Sequence, residues 1–334
     1  MSEHRPRKQL RTYRFRIGRR RYERIIPFAC CALVLVICAA KLISYISDYN
    51  RSIRLSAELR EIYNETPSDA PVTAPPATET PFVVVAATET PFALTADAET
   101  PVVTVTPVPT HDPLATMAPQ PYPLNPHKVI SDRFLKLRRQ NADIIGWLTV
   151  GNLLSEAVVQ RDNSYYLRRD YRGYHNTNGA IFLDEACDLT VRPHTLILYG
   201  HNMKTGAMFG VLRNYENLIF YHNNPFITFD SMYEDGQYVI FSVAEVSLNV
   251  QSSNYSGFYR LQGCTNMERD AIIAELCRLS KHTCTVDVNS DDQILLLVTC
   301  VGDESDRRIV AARRVRDGES ESELRWQIQN SRSR

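Results

Sequence analysis

Apolar positions fall into distinct regimes along this 334-residue chain. From Ile25 to Ile46 nearly every position is apolar, and no charge occurs between Ile25 and Ala40. At about 1.5 Å rise per residue such a helix is roughly 33 Å long, enough to cross a bilayer core. Pro27 falls in the first turn, where its missing N–H costs little, and Lys41 can snorkel from the far end to the interface. Ser47 to Asn64 continues as a more polar helix, with Ile53, Leu55, Leu59 and Ile62 three or four apart. The pattern then stops. Residues 65–126 are rich in Pro, Thr, Ala and Val, contain neither Gly nor Cys, and repeat imperfectly every ten positions around Pro81, Pro91 and Pro101. Proline at that spacing breaks helices and denies a sheet its donors, so this stretch is expected to be a semi-extended spacer, a stalk or a plain linker.

Periodicity returns near His127 and persists to Asp317, the length of one ordinary domain. Ser131 is placed to cap a helix running to about Gln140, with Phe134 and Leu137 facing inward. Short strand-like runs follow at Ile144–Val150, Ala157–Gln160, Ala180–Asp184, Thr195–Tyr199, Ile227–Asp230, Tyr238–Leu248, Ile294–Thr299 and Arg308–Val315, with helices expected at Met208–Asn214 and Met267–Lys281. Eight strands without regular βα alternation predict a mainly β fold closed into a barrel rather than a doubly wound sheet. The charged, serine-rich tail 318–334 is expected to fray, although Leu324, Trp326 and Ile328 leave room for a short helix.

Charge changes the picture at the N-terminus. The formal net charge is zero, yet residues 1–24 carry ten Lys/Arg against Glu3 and Glu23. An adjacent apolar span accounts for this basic arm without any nucleic acid, and the positive-inside rule places residues 1–24 in the cytoplasm, residues 25–46 across the membrane and the rest outside. A cleaved signal peptide is the competing reading; its apolar core would be about 7–15 residues, ending at a small-residue site such as Ala39-Ala40. Of eight cysteines, Cys30, Cys31 and Cys38 lie in the span, leaving the odd number Cys187, Cys264, Cys277, Cys284 and Cys300 beyond it. Cys277 and Cys284 could bridge, or with His282 bind metal, although the spacing fits no standard zinc pattern.

The chemistry concentrates at strand ends. Cys300 closes the run Leu297-Val298-Thr299-Cys300, Arg308 opens the run Arg308-Ile309-Val310, and His201 follows the run ending in Tyr199-Gly200. A thiol, an imidazole and a guanidinium at three strand ends suit a cysteine nucleophile, its proton partner and an anion-stabilising cation. Thr299, Val298 and Asn202 flank them as candidate substrate contacts.

At these residues the chain resembles the class B sortases over nearly all of 130–317. Asn141-Ala-Asp-Ile-Ile-Gly-Trp147-Leu148 resembles the family's N-D-I-V-G-W-L opening, and Val158-Val159-Gln160 with Asp162-Asn163-Ser-Tyr165-Tyr166-Leu167 resembles V-V-Q…D-N-x-Y-Y-L. Gly179-Ala-Ile-Phe-Leu-Asp184 resembles G-S-I-F-L-D; Thr195-Leu-Ile-Leu-Tyr199-Gly-His-Asn-Met203 with Met208-Phe209 resembles the histidine motif; Leu297-Val-Thr-Cys300 resembles T-L-x-T-C. Leu296 and Val298 depart from it, standing where Thr and often Ser are expected. The resemblance implies a closed eight-stranded sortase barrel at 127–317, with 47–126 as juxtamembrane helix and spacer. It further implies a membrane-anchored transpeptidase without a cofactor. Cys300 would cleave the sorting signal of a secreted protein through a thioacyl-enzyme, His201 would move the proton, and Arg308, chosen over the adjacent Arg307 because it directly precedes the apolar strand as in the family, would donate to the oxyanion or to the substrate backbone. The acceptor would be an amine of peptidoglycan or its lipid-linked precursor. An exported cysteine peptidase or amidase with water as acceptor, and a non-catalytic wall scaffold, are the competing functions.

Overall fold

A computed structural model describes residues 17–65, 120–301 and 305–334, with backbone alone for 17–25. The basic arm up to residue 16 and the proline repeats of the spacer lie outside the described residues. The chain divides into two compact units, Met1–Arg51 and Ser52–Arg334. In the first, helix α1 (Ile17–Glu65) begins and carries a segment apolar and long enough to cross a membrane. Its Phe28, Leu33, Leu35 and Ile43 are exposed, as lipid-facing side chains would be.

The second unit holds the last fourteen residues of α1, then α2 (Asp132–Gln140), β1 (Ile144–Val150), β2 (Leu154–Val159), β3 (Ile181–Leu183), β4 (Thr195–Tyr199), α3 (Leu218–Asn223), β5 (Phe226–Ser231), β6 (Gln237–Ser247), α4 (Asn266–Leu279), β7 (Ile294–Val301), β8 (Asp306–Arg314) and α5 (Glu321–Gln329). The strands close a barrel in the order β1-β2-β3-β4-β7-β8-β6-β5. Pairs β2–β3 and β4–β7 are parallel; the others are antiparallel. The eight-stranded closed barrel expected from strand count is therefore observed.

Alternation sorts β1 and β2 between two cores. Leu148, Val150, Leu154 and Val158 join Leu198, Leu296 and Val310 in one cluster, while Trp147, Ala157 and Val159 form a second with Phe134 and Leu137 of α2. Both faces of β1 are thus covered, which explains its unbroken apolar run.

The second cluster also takes Leu55 and Leu59 of α1, spaced one turn apart. Tyr63, one further turn on, stacks on Trp147 with centroids 4.4 Å apart, donates its hydroxyl to Asp230, and lies under the Arg133 guanidinium at 4.4 Å. Ser56 donates to Glu156 (2.6 Å), Arg60 to the Ser155 carbonyl (2.8 Å), and Ser52 accepts from Asn176 and Asn178. The segment read from sequence as a juxtamembrane element is thus packed into the barrel unit. The near side of the spacer likewise belongs to it: Gln120 bridges Arg192, and Tyr122 is buried with its hydroxyl on the Leu189 carbonyl.

The tail does not fray. Leu324 and Ile328 of α5 are buried in the main core while Trp326 stays exposed, so the spacing of four that left a helix open is what forms it. Arg313, itself buried, grips Glu319 through two 2.7 Å bonds just before the helix, and His282 bridges Ser333 after it. The helix expected at Met208–Asn214 is a 3₁₀ segment, Phe209–Glu216, and α3 follows it, capped by Asn217.

Desolvation raises Glu156 to about 7 against the pull of Ser56 and Arg60, and raises Asp230 to about 6. Each binds its proton more tightly folded than unfolded, so the stability it adds is complete below its unfolded pKa and is lost as pH rises through its folded one. The melting temperature measured at about pH 5 should exceed that at about pH 8, and Glu156→Gln, which keeps an acceptor for Ser56 but has no proton to bind, should narrow the gap. An unchanged gap would mean that Glu156, beneath the packed helix, binds no such proton.

Candidate active site

The parallel β4–β7 pair sets the site. Its register pairs Thr195 with Ile294 and continues in step to Tyr199 with Val298. Past the end of β4, Gly200 still donates to the Val298 carbonyl (3.3 Å), and Thr299 returns its hydroxyl to the Gly200 carbonyl (2.7 Å). The strand pairing itself ends at Tyr199 and Val298; carried on in step for two positions, it would bring His201 level with Cys300. Asn202 then closes the juncture, donating to the Cys300 carbonyl at 2.9 Å. Gly200 is required by packing: a Cβ there would lie 2.9 Å from the Phe209 ring that seals the strand end.

Cys300 is exposed, whereas Val298 and Thr299 are buried beneath it. The contrast with Cys187 is chemical: burial pushes that thiol up to about 12, leaving it inert, while donation to Thr195 and acceptance from Gln262 occupy its sulfur. The half-buried His201 ring meets the Leu167 carbonyl through Nε2 at 2.6 Å. A carbonyl oxygen can only accept, so Nε2 carries the hydrogen and Nδ1 is the nitrogen left to take a proton. Leu167 lies in a 3₁₀ turn, Tyr165–Arg168, inside the motif stretch read from sequence, but its contribution is a main-chain atom that no residue type announces.

Two arginines face the end of β7 from β8. Arg308 pairs with Thr299 on one side and with Glu245 of β6 on the other, and Arg307 pairs directly with Cys300. Paired residues share a sheet face, so Arg308 lies on the face of Thr299 and Glu245, and Arg307 on that of Cys300. Arg308 is buried; its Nη2 donates to Glu245 (2.7 Å) and to Glu216 at the end of the 3₁₀ segment, while its Nε has no acceptor. Partial burial alone would raise the Glu245 carboxyl, but bonds from Arg308 and Lys281 outweigh it and hold it below its usual value. Glu216 and Glu245 were not singled out from sequence, because the β6–β8 register brings Glu245 to the guanidinium and the packing of the 3₁₀ segment brings Glu216.

No protein-family model matches the chain. Over 190 residues it is 30% identical to sortase B of Staphylococcus aureus (strain NCTC 8325 / PS 47), covering 56% of this chain and 75% of that protein. The chain belongs to the class B sortases. Sortase B of Listeria monocytogenes (serovar 1/2a, strain ATCC BAA-679 / EGD-e) is 29% identical over 175 residues, covering 51% of this chain and 68% of the relative. Among solved structures, a Staphylococcus aureus sortase B–substrate complex superposes with a TM-score of 0.50 at 27% identity, covering 57% of this chain and 88% of that one. A crystal structure of sortase B from B. anthracis gives 0.55 at 21% identity, covering 81% and 99%, a likeness of fold. This sortase is therefore a member of a cysteine transpeptidase family.

In this sortase Asn202 is occupied on both sides, its amide on Cys300 and its carbonyl oxygen accepting from Arg213 at 3.2 Å. Arg213 also holds the Met203 and Gly210 carbonyls, so the loop after His201 is strapped from within. Asn202→Ala should lower kcat about tenfold with KM unchanged, because it loosens the His201–Cys300 juncture. A rise in KM at constant kcat would make Asn202 a substrate contact instead.

Proposed function

We propose that this sortase is a membrane-anchored transpeptidase whose nucleophile is Cys300. Its apolar segment, residues 25–46, spans the bilayer with residues 1–24 in the cytoplasm and the barrel outside, the orientation favoured by the basic arm. The Cys300 thiolate attacks the carbonyl carbon of a sorting-signal peptide bond on a secreted protein. The C–N bond breaks, and protonated His201 gives its Nδ1 proton to the departing amine, leaving a thioester on the sulfur. An amine of peptidoglycan or its lipid-linked precursor then adds to that thioester, loses a proton to His201 and displaces the thiolate. The observation that supports this reading is the β4–β7 juncture, where Asn202, next to the oriented His201 ring, holds the carbonyl of the exposed Cys300.

The charge on the tetrahedral oxyanion falls to the arginines of β8. The Arg-Ile-Val pattern assigns the role to Arg308, whose Nε–H has no protein acceptor; its two carboxylate partners would fix the guanidinium plane. The pairing of Arg307 with Cys300 favours a second reading in which Arg307 is the cation.

One assay separates these possibilities. A sorting-signal peptide is incubated with the protein, with and without triglycine, and products are identified by mass. Cys300→Ala should abolish all turnover, and product joined to the amine should dominate when amine is present; hydrolysis alone would make the protein a peptidase. Arg308→Ala should cost about 100-fold or more in kcat/KM, with Arg307→Ala near wild type. The reverse ranking would move the oxyanion role to Arg307.

A further inference from the structure

We infer that Cys277 and Cys284 are a paired dithiol that closes into a structural disulfide. Their sulfurs lie 2.8 Å apart, well inside the roughly 3.5–4.0 Å at which non-bonded heavy atoms rest. The approach is set by backbone, not by chance rotamers. Cys277 is in the last turn of α4, and the chain reverses immediately after it. Ser280 donates its amide to the Cys277 carbonyl, its hydroxyl accepts from Val243 (3.1 Å) and His282 (3.3 Å), and the Lys281 amide donates to the Val243 carbonyl (2.7 Å). These bonds pin the reversal to β6 and return Cys284 to the helix end, so the S–S bond forms by adjustment of two side chains.

The competing use of these thiols, a metal site with His282, has no geometric support. His282 stacks on Tyr221 with centroids 5.2 Å apart and donates Nε2 to the Tyr215 carbonyl (2.7 Å). Among the described residues no group of three His, Cys, Asp or Glu side chains is arranged to hold a metal ion.

The chemistry runs in one direction. Cys277 donates its S–H to Cys284, which lowers the Cys284 thiol below its ordinary value and raises that of Cys277. Cys284 is therefore the thiolate that attacks an incoming disulfide, such as that of an exported dithiol oxidoreductase or of oxidised glutathione. One thiolate leaves, giving a mixed disulfide; Cys277, losing its proton, displaces the second. Two protons and two electrons pass to the donor disulfide, which ends as two thiols. The closed bond would cross-link the end of α4 to the segment that pairs with the C-terminus, where Thr283 donates to the Arg332 carbonyl (2.8 Å) and Arg334 donates to the Cys277 (2.9 Å) and Arg278 (2.7 Å) carbonyls.

In the cell this bond rests on the proposed placement of the barrel outside the membrane, since cytoplasmic thiols stay reduced. The test is independent of that placement. The full-length protein is treated with oxidised glutathione, remaining thiols are alkylated, and the protein is digested with trypsin and weighed. Cleavage after Arg278 and Lys281 puts the two cysteines on separate peptides, and fragmentation of peptide 282–307, which also carries Cys300, shows which of its two sulfurs is joined. The expected result is a joined pair, lighter than the two free peptides by two hydrogens, with Cys264 and Cys300 alkylated. Reductant should lower the melting temperature by roughly 5 °C, and Cys277→Ala and Cys284→Ala should each remove that dependence. Alkylation of both thiols after oxidation, or linkage of Cys284 to any other cysteine, would overturn the assignment in the unsubstituted protein, whatever the variants do. A joined pair in vitro with free thiols in cells would instead count against the outward placement of the barrel.

Discussion

The parallel pairing of β4 with β7 is the constraint from which the rest of this molecule follows. The strands are separated by nearly a hundred residues, and nothing local brings them together. Parallel neighbours cannot be joined by a hairpin, so the intervening chain must leave the sheet and return. It does so by way of the 3₁₀ segment, α3, β5, β6 and α4, whose buried faces fill and cap the barrel. The pairing then propagates past the end of β4 through three hydrogen bonds, at Gly200, Thr299 and Asn202. A slip of one residue would turn every side chain to the opposite face and part the imidazole from the thiol.

Around that juncture the molecule uses main-chain atoms and carboxylates to fix what would otherwise be flexible. The Leu167 carbonyl sets the imidazole tautomer, and Glu216 and Glu245 hold the buried Arg308. Burying a guanidinium costs several kcal/mol unless its charge is matched, which gives the two carboxylates a purpose independent of catalysis. Glu245 is itself shared with Lys281, so the network reaches the chain reversal that presents Cys277 to Cys284.

Much of the fold was legible because its signals are local. Eight apolar runs without βα alternation gave the closed barrel, and Phe134 and Leu137 gave the buried face of α2. The motif stretches around His201 and Cys300 identified the two strand ends that the β4–β7 register sets side by side. What escaped was decided by partners distant in sequence. Ile53, Leu55, Leu59 and Ile62 read as a thin apolar stripe on a polar helix, and only the partners of Tyr63, Trp147 and Asp230, reveal that this helix completes the barrel's outer core. The tail read as charged and serine-rich, and its two inward residues, Leu324 and Ile328, were too few to outweigh that composition until the core they enter was known. The faces of Arg307 and Arg308 depend on a register that adjacent arginines cannot encode.

The central claim of the proposed mechanism is spatial: the β4–β7 register, continued two positions past Tyr199 and Val298, makes 201 and 300 neighbours. Replacing His201→Cys tests it without reference to substrate, since positions paired in that continued register would lie within the span of a disulfide. Under mild oxidation the introduced thiol is expected to bond to Cys300, giving a linked peptide pair by mass spectrometry and no alkylation at either position. Free, alkylatable thiols at both positions, in a protein whose melting temperature matches the parent, would contradict the juncture and the mechanism built on it.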